Sequence, residues 1–145
     1  MGEHLNNDIK EVVEWFSVNY GSSEKKTLKS ILGPVLTGKW KNTRFQSDYV
    51  SSHPDCNAIV EFFNCYDEWR GILGKAIAYL YEIQETRSDK EVWLVTRIGS
   101  DCKDTEAYRT YIGRYKLILN ATISNDLKSR LKIYEYQDGK LIEIK

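Results

Sequence analysis

The run Glu91-Val92-Trp93-Leu94-Val95-Thr96-Arg97-Ile98 is nearly all apolar or β-branched. A strand with one side in water alternates apolar and polar residues, whereas a near-continuous apolar strand is covered on both faces. The run therefore demands a sheet with packing partners above and below it. The segment before it supplies one. Trp69, Ile72, Leu73, Ala76, Ile77, Leu80 and Ile83 fall at helical spacing within residues 68–86, and Arg87-Ser88-Asp89-Lys90 breaks the pattern.

The remaining periodicities complete the order. Leu5, Ile9, Val12, Val13, Phe16 and Tyr20 predict a first helix, capped by Asn6, Asn7 or Asp8 and ended by Gly21. Ser22 and Ser23 offer a cap for a second helix through Leu28, Ile31 and Leu32, which Gly33-Pro34 stops. Residues 43–51 and 58–63 read as a β-hairpin whose loop, 52–57, has turn chemistry. Asp104 and Thr105 can cap a helix through Tyr115, Lys116 to Ile123 reads as a strand, and 126–130 as a short helical turn. Leu131–Tyr136 and Leu141–Ile144 flank Asp138-Gly139, a primed-turn signal for a closing hairpin. The order α-α-β-β-α-β-α-β-β-β predicts an α/β (α+β) fold, a mixed central sheet flanked by helices.

With 145 residues, 41% of them apolar, the chain suits a single domain, 1–145, with a core of its own. Twenty-one basic residues balance 21 acidic ones, which argues against a polybasic nucleic-acid binder but leaves room for a local patch. No G-x-G-x-x-G or P-loop supports a nucleotide-cofactor fold. The chain opens Met-Gly-Glu-His without a signal-peptide pattern, and no apolar run approaches the roughly 18 residues of a membrane span. Cys56, Cys65 and Cys102 are odd in number and lack C-x-x-C spacing, so three thiols in a reducing cytoplasm are expected.

The hairpin at 43–63 concentrates the chemistry. If Ser51 pairs with Ala58, Asp48 lies directly opposite Glu61, since both pairs sum to 109. Like charges facing across strands are destabilising and call for a counter-charge. A divalent cation is the natural one, because Mg²⁺ takes one or two carboxylates and completes its shell with water and phosphate. A one-residue slip would separate the pair, leaving a solvent-facing Asp and an unrelated Glu.

The stretch Ser47-Asp48-Tyr49-Val50, His53-Pro54-Asp55 and Ile59-Val60-Glu61-Phe62-Phe63, followed by Glu68-Trp69-Arg70 and Gly74-Lys75-Ala76-Ile77-Ala78-Tyr79-Leu80, resembles the core of the PD-(D/E)XK nuclease superfamily. That group includes restriction endonucleases, Holliday-junction resolvases and small nucleases of archaeal viruses and plasmids. The likeness spans roughly residues 5–125 and rests on a short, degenerate motif. It implies a restriction-endonuclease-like core, Mg²⁺ or Mn²⁺ held by Asp48 and Glu61 as metal and catalytic residues, and DNA as the partner. With no apolar run of spanning length, no membrane partner is expected, and a homodimer is allowed.

Two positions depart from that pattern. The lysine expected two residues after the acid is Phe63, so Lys75 on the following helix is the candidate stabiliser, with a plain solvated lysine as the alternative. Asp55 is too close to Glu61 for two paired strands and reads as a turn residue. Glu11 and Glu14 could complete such a metal site but point away from the apolar stripe of their helix, and His4 and His53 read as surface residues. Positive charge clusters in Lys25, Lys26, Lys29, Lys39, Lys41 and Arg44 around Trp40, and again in Arg109, Arg114, Lys116, Lys128, Arg130 and Lys132. Basic side chains interleaved with aromatics suit phosphate contacts and base stacking, though ordinary solvated faces have the same composition. Lys25, Lys26, Lys39, Trp40, Lys41 and Arg44 are the candidate nucleic-acid contacts. The expected activity is metal-dependent hydrolysis of DNA phosphodiesters. Its rival is an inactive nuclease-like protein that binds a protein or nucleic acid as an inhibitor or regulator of a mobile element or virus.

Overall fold

The computed structural model describes residues 7–24, 27–29, 44–65, 67, 69–99 and 102–144. Helix α1 (Asn7–Tyr20) is followed by two short strands, β1 (Thr27–Lys29) and β2 (Arg44–Gln46), which form their own antiparallel ribbon. Strands β3 (Tyr49–His53) and β4 (Cys56–Phe63) come next, then helix α2 (Trp69–Glu85), strand β5 (Glu91–Thr96), helix α3 (Thr105–Thr122), the single turn α4 (Asn125–Lys128), and strands β6 (Leu131–Gln137) and β7 (Lys140–Glu143). The five strands β3 to β7 lie in sequence order in one sheet. Its two edges are antiparallel hairpins and its centre, β4-β5-β6, is parallel. This is the mixed sheet flanked by helices that the apolar pattern requires.

The topology decides which helix covers which face. Both parallel crossovers, through α2 and through α3, step across the sheet in the same direction. Crossovers of one hand then bring their helices to the same face. Ile72, Ala76, Tyr79, Leu80 and Ile83 of α2, with Ile112 and Leu119 of α3, accordingly pack on Ile59, Phe63, Val92, Leu94 and Ile133. Helix α1 covers the opposite face, where Ile9, Val12 and Phe16 meet Ala58, Val60, Phe62, Trp93 and Val95. Alternate residues of β5 thus enter different cores, and Val92 to Thr96 are all buried. Phe16 stands edge-on to Tyr49, Phe62 and Trp93 at ring separations of 5.5, 5.1 and 6.4 Å.

Several sequence expectations need correction. Residues 116–123 are not a strand. Their β-branched content is overridden because Ile112, Tyr115, Leu119 and Ile123 form one apolar stripe, which keeps α3 helical through Thr122. Asp104 caps α3 as expected, accepting from the Ala107 N–H at 3.0 Å. The expected second helix is replaced at Thr27–Lys29 by strand β1, and Ser30 to Pro34 lie outside the described residues, as does Leu5. The β3–β4 turn is tighter than its composition suggests, with only Pro54 and Asp55 between the strands. Pro54 provides the fixed φ that the first central position of such a turn favours. The β6–β7 turn has Asp138 at φ 45° and Gly139 at φ 80°, as a primed Asp-Gly turn needs.

The cysteines also differ from expectation. Cys65 and Cys102 form a disulfide, and Cys56 alone is a free, buried thiol, pushed up to about 12 chiefly by burial. Cys65 follows the end of β4 and Cys102 lies in the segment after β5, so the bond ties together the loops that leave two neighbouring parallel strands. No helix among the described residues is long and apolar enough to cross a membrane.

Candidate functional site

The β3–β4 register pairs Ser51 with Ala58 and Tyr49 with Val60, the alignment that sets Asp48 against Glu61. The backbone ladder stops at Tyr49, one residue before that pair. In an antiparallel ladder every second pair exchanges hydrogen bonds. Counting from the turn, the next such donor on β4 is the Phe62 N–H, and the Asp48 carboxylate accepts it at 2.9 Å in place of a strand carbonyl. Asp48 thereby ends the strand and is held at its position. Its neighbour Ser47 is buried, and its hydroxyl has no hydrogen-bond partner among the described residues.

Glu61 sits on the odd-numbered side of β4, between Ile59 and Phe63, and so points toward α2 rather than α1. It is fully buried, at 0% exposure. Two side chains one helical turn apart on α2 reach it. The Tyr79 hydroxyl donates to Oε1 at 2.7 Å, and the Lys75 ammonium lies 3.4 Å from Oε2. Burial first, and then the Asp48 charge, push Glu61 up to about 8, against an ordinary value of 4.5. Burial raises Asp48 as well, opposed by the Phe62 N–H and by a hydrogen bond from Glu61. Burial thus favours a proton shared between the two carboxyl groups.

Asp48, Glu61 and Lys75 are thus brought together, and Tyr79 joins them. Sequence reasoning misses Tyr79 as a site residue. Its signal is present all the same, since a residue four positions after Lys75 shares its helix face. Phe63 is buried in the α2–α3 core, and its side chain supplies no charge. Glu11 does not reach the pair. Its carboxylate forms an ion pair with Arg97 at 2.5 Å, and Arg97 lies over the Tyr136 ring. Asp55 is in the turn as expected, and His53 is half-buried against Tyr20, with Nδ1 accepting from the Asp55 N–H.

The basic clusters fare differently. Lys25, Lys26, Lys39, Trp40 and Lys41 lie outside the described residues. Lys29 and Arg44 are direct register partners on the β1–β2 ribbon, and β2 leads through Ser47 into Asp48. In the second cluster most cations are engaged within the fold. Arg109 grips the buried Glu135 with two bonds of 3.0 Å, Arg130 donates to the carbonyls of Ser88 and Lys90, Lys116 donates to the Ile144 carbonyl, and Lys132 pairs with Glu91 at 3.5 Å. Burial opposes ionisation of Glu135, but Arg109 and Gln137 hold its carboxyl below the usual range.

Among the described residues no three His, Cys, Asp or Glu side chains cluster as a metal cage. The Asp48–Glu61 pair is a two-carboxylate set of hard oxygen donors with excess negative charge once its proton leaves. That donor chemistry fits a hard divalent ion which keeps several waters, and does not fit a fully protein-ligated ion. No family model, curated protein or solved structure matches the chain.

Proposed function

We propose that this protein is a nuclease-fold DNA-binding protein that hydrolyses phosphodiesters with Mg²⁺ or Mn²⁺. The observation that carries the reading is the convergence of Asp48, which leads into β3, Glu61 of β4 and Lys75 of α2 around the buried Glu61 carboxylate. Asp48, fixed by the Phe62 N–H, and Glu61, fixed by Tyr79, would hold the ion. When bound, such an ion lowers the pKa of a water and offsets charge on the phosphate. Lys75 stands beside the pair as the local positive charge that Phe63 cannot supply. The lysines around Trp40, together with the Lys29–Arg44 partners, support DNA as the ligand.

Purified protein should cleave plasmid or branched DNA only with Mg²⁺ or Mn²⁺ present. Asp48→Asn should remove that cleavage, since an amide oxygen can still accept from Phe62 but no longer carries charge for the ion. DNA cleavage that persists in the variant, or that needs no metal, would exclude this assignment of Asp48. Changing Lys25, Lys26, Lys39 and Lys41 together to Gln should weaken DNA binding and lower the log–log salt slope by about 0.9 for each phosphate left without its cation. An unchanged slope measured by fluorescence anisotropy would place the DNA-binding surface elsewhere.

Phe63 favours a second reading. It occupies the motif's lysine position and is 1% exposed within the core, so chemistry lost at that position would leave a scaffold for recognition. Such a protein would act as an inhibitor or regulator by binding a protein or a nucleic acid. Absence of cleavage with either metal, together with retained DNA affinity, selects this reading.

A further inference from the structure

We propose that Lys75 is a tethered counter-cation that keeps the carboxylate pair closed to divalent ions and must swing away for one to enter. This rests on the reading of Asp48 and Glu61 as metal ligands and concerns how that same site is controlled. Glu61 has no exposed surface, and the Tyr79 hydroxyl already takes its Oε1. An incoming ion is therefore left with Oε2. The Lys75 ammonium lies 3.4 Å from that same oxygen. A divalent ion and an ammonium cannot both crowd one carboxylate oxygen without strong repulsion.

The four residues differ in their freedom to move. Tyr79 is 0% exposed and packed in the α2 core, and Asp48 is pinned by a backbone N–H. The Lys75 side chain is 32% exposed, hangs from the helix on a flexible stem, and reaches Glu61 only at long range. It is the one member of the cluster able to leave. Once displaced, the ammonium stands at the mouth of the site and needs an anion. A phosphate oxygen of the nucleic acid supplies one, so ion and phosphodiester should bind cooperatively.

The effect on affinity has a definite sign. Removing Lys75 removes a positive charge that lies 3.4 Å from the oxygen the ion must take, and so relieves the repulsion of a doubly charged ion. The test is Mn²⁺ titration of the metal-free, full-length protein by calorimetry at about pH 8.5, with melting curves to verify folding. Lys75→Met should bind Mn²⁺ about tenfold tighter than the parent, as expected for one unit charge removed within a few ångströms of a divalent ion. Lys75→Arg, which keeps the charge, should stay close to the parent. Should the Met variant fail to fold, Lys75→Gln makes the same comparison. Unchanged or weaker Mn²⁺ binding by the uncharged variant, with the parent binding normally, overturns the proposal while leaving the ligand assignment intact. No Mn²⁺ binding by any of the proteins removes the ligand assignment, and the proposal falls with it.

Discussion

Glu61→Gln should make the metal-free protein more stable above neutral pH and remove most of the dependence of its stability on pH. Glu61 is an acid whose folded pKa, about 8, lies above its ordinary value of 4.5. Between those values the native state keeps a proton that the unfolded chain has released. Stability therefore falls as pH rises through this window, and the loss is complete above the folded value. Asp48, raised in the same direction, adds to the lower part of the slope. At about 1.4 kcal/mol per pKa unit, the whole effect is on the order of a few kcal/mol. Glutamine is close in shape, can accept from Tyr79 through its oxygen and can donate to Asp48 through its nitrogen. Urea melts at about pH 5 and pH 8.5 should show the two proteins similar at the lower pH and the variant clearly more stable at the higher. Parallel pH profiles would mean that Glu61 ionises freely and that the shared proton does not exist. Saturating Mn²⁺ should reverse the order at high pH, because only the parent gains an ion that binds the folded state.

The second large effect belongs to the disulfide. Cys65 and Cys102 are 37 residues apart, and closing a loop of that length removes about 4 kcal/mol of unfolded-state entropy in the chain-entropy treatment. Changing both cysteines to serine should lower the melting temperature by on the order of 10 °C for a chain of this size. The single free thiol, Cys56, should stay unlabelled by maleimide in the folded protein, since it is fully buried. A melting temperature that does not change on reduction would show that the packing of β4 against β5 already fixes these loops.

Much of this arrangement is legible in the chain because it is written in local pattern. The buried run at 91–96 and the Asp138-Gly139 turn each have one physical interpretation, and both stand. The Ser51–Ala58 register is the observed one although the turn is shorter than the expected loop, because lengthening both strands equally leaves the pairing sum unchanged. Lys75 is legible as a lysine on the flank of the amphipathic helix that follows the hairpin. What the pattern does not carry is non-local. The two bridged cysteines have no telling spacing, and they meet only because β4 and β5 are parallel neighbours whose trailing loops leave the same edge. Residues 116–123 combine strand-like composition with a helical stripe, and the stripe prevails because it lies over the sheet.

The closing of the α1 face has a temporal side. Phe16 meets Phe62 on β4, but Trp15 on the same helix stacks edge-on against Tyr136, at 5.7 Å, and Glu11 pairs with Arg97. On a ribosome, Trp15 emerges about 120 residues before Tyr136, a delay of roughly 6–25 s at ordinary rates of synthesis. The carboxylate pair and its partners need only the β3–β4 hairpin, with Asp48 leading into it, and α2, which follow one another along the chain. The nascent protein can therefore assemble its chemistry early, while its first helix waits for one of its last strands with an aromatic side chain still uncovered.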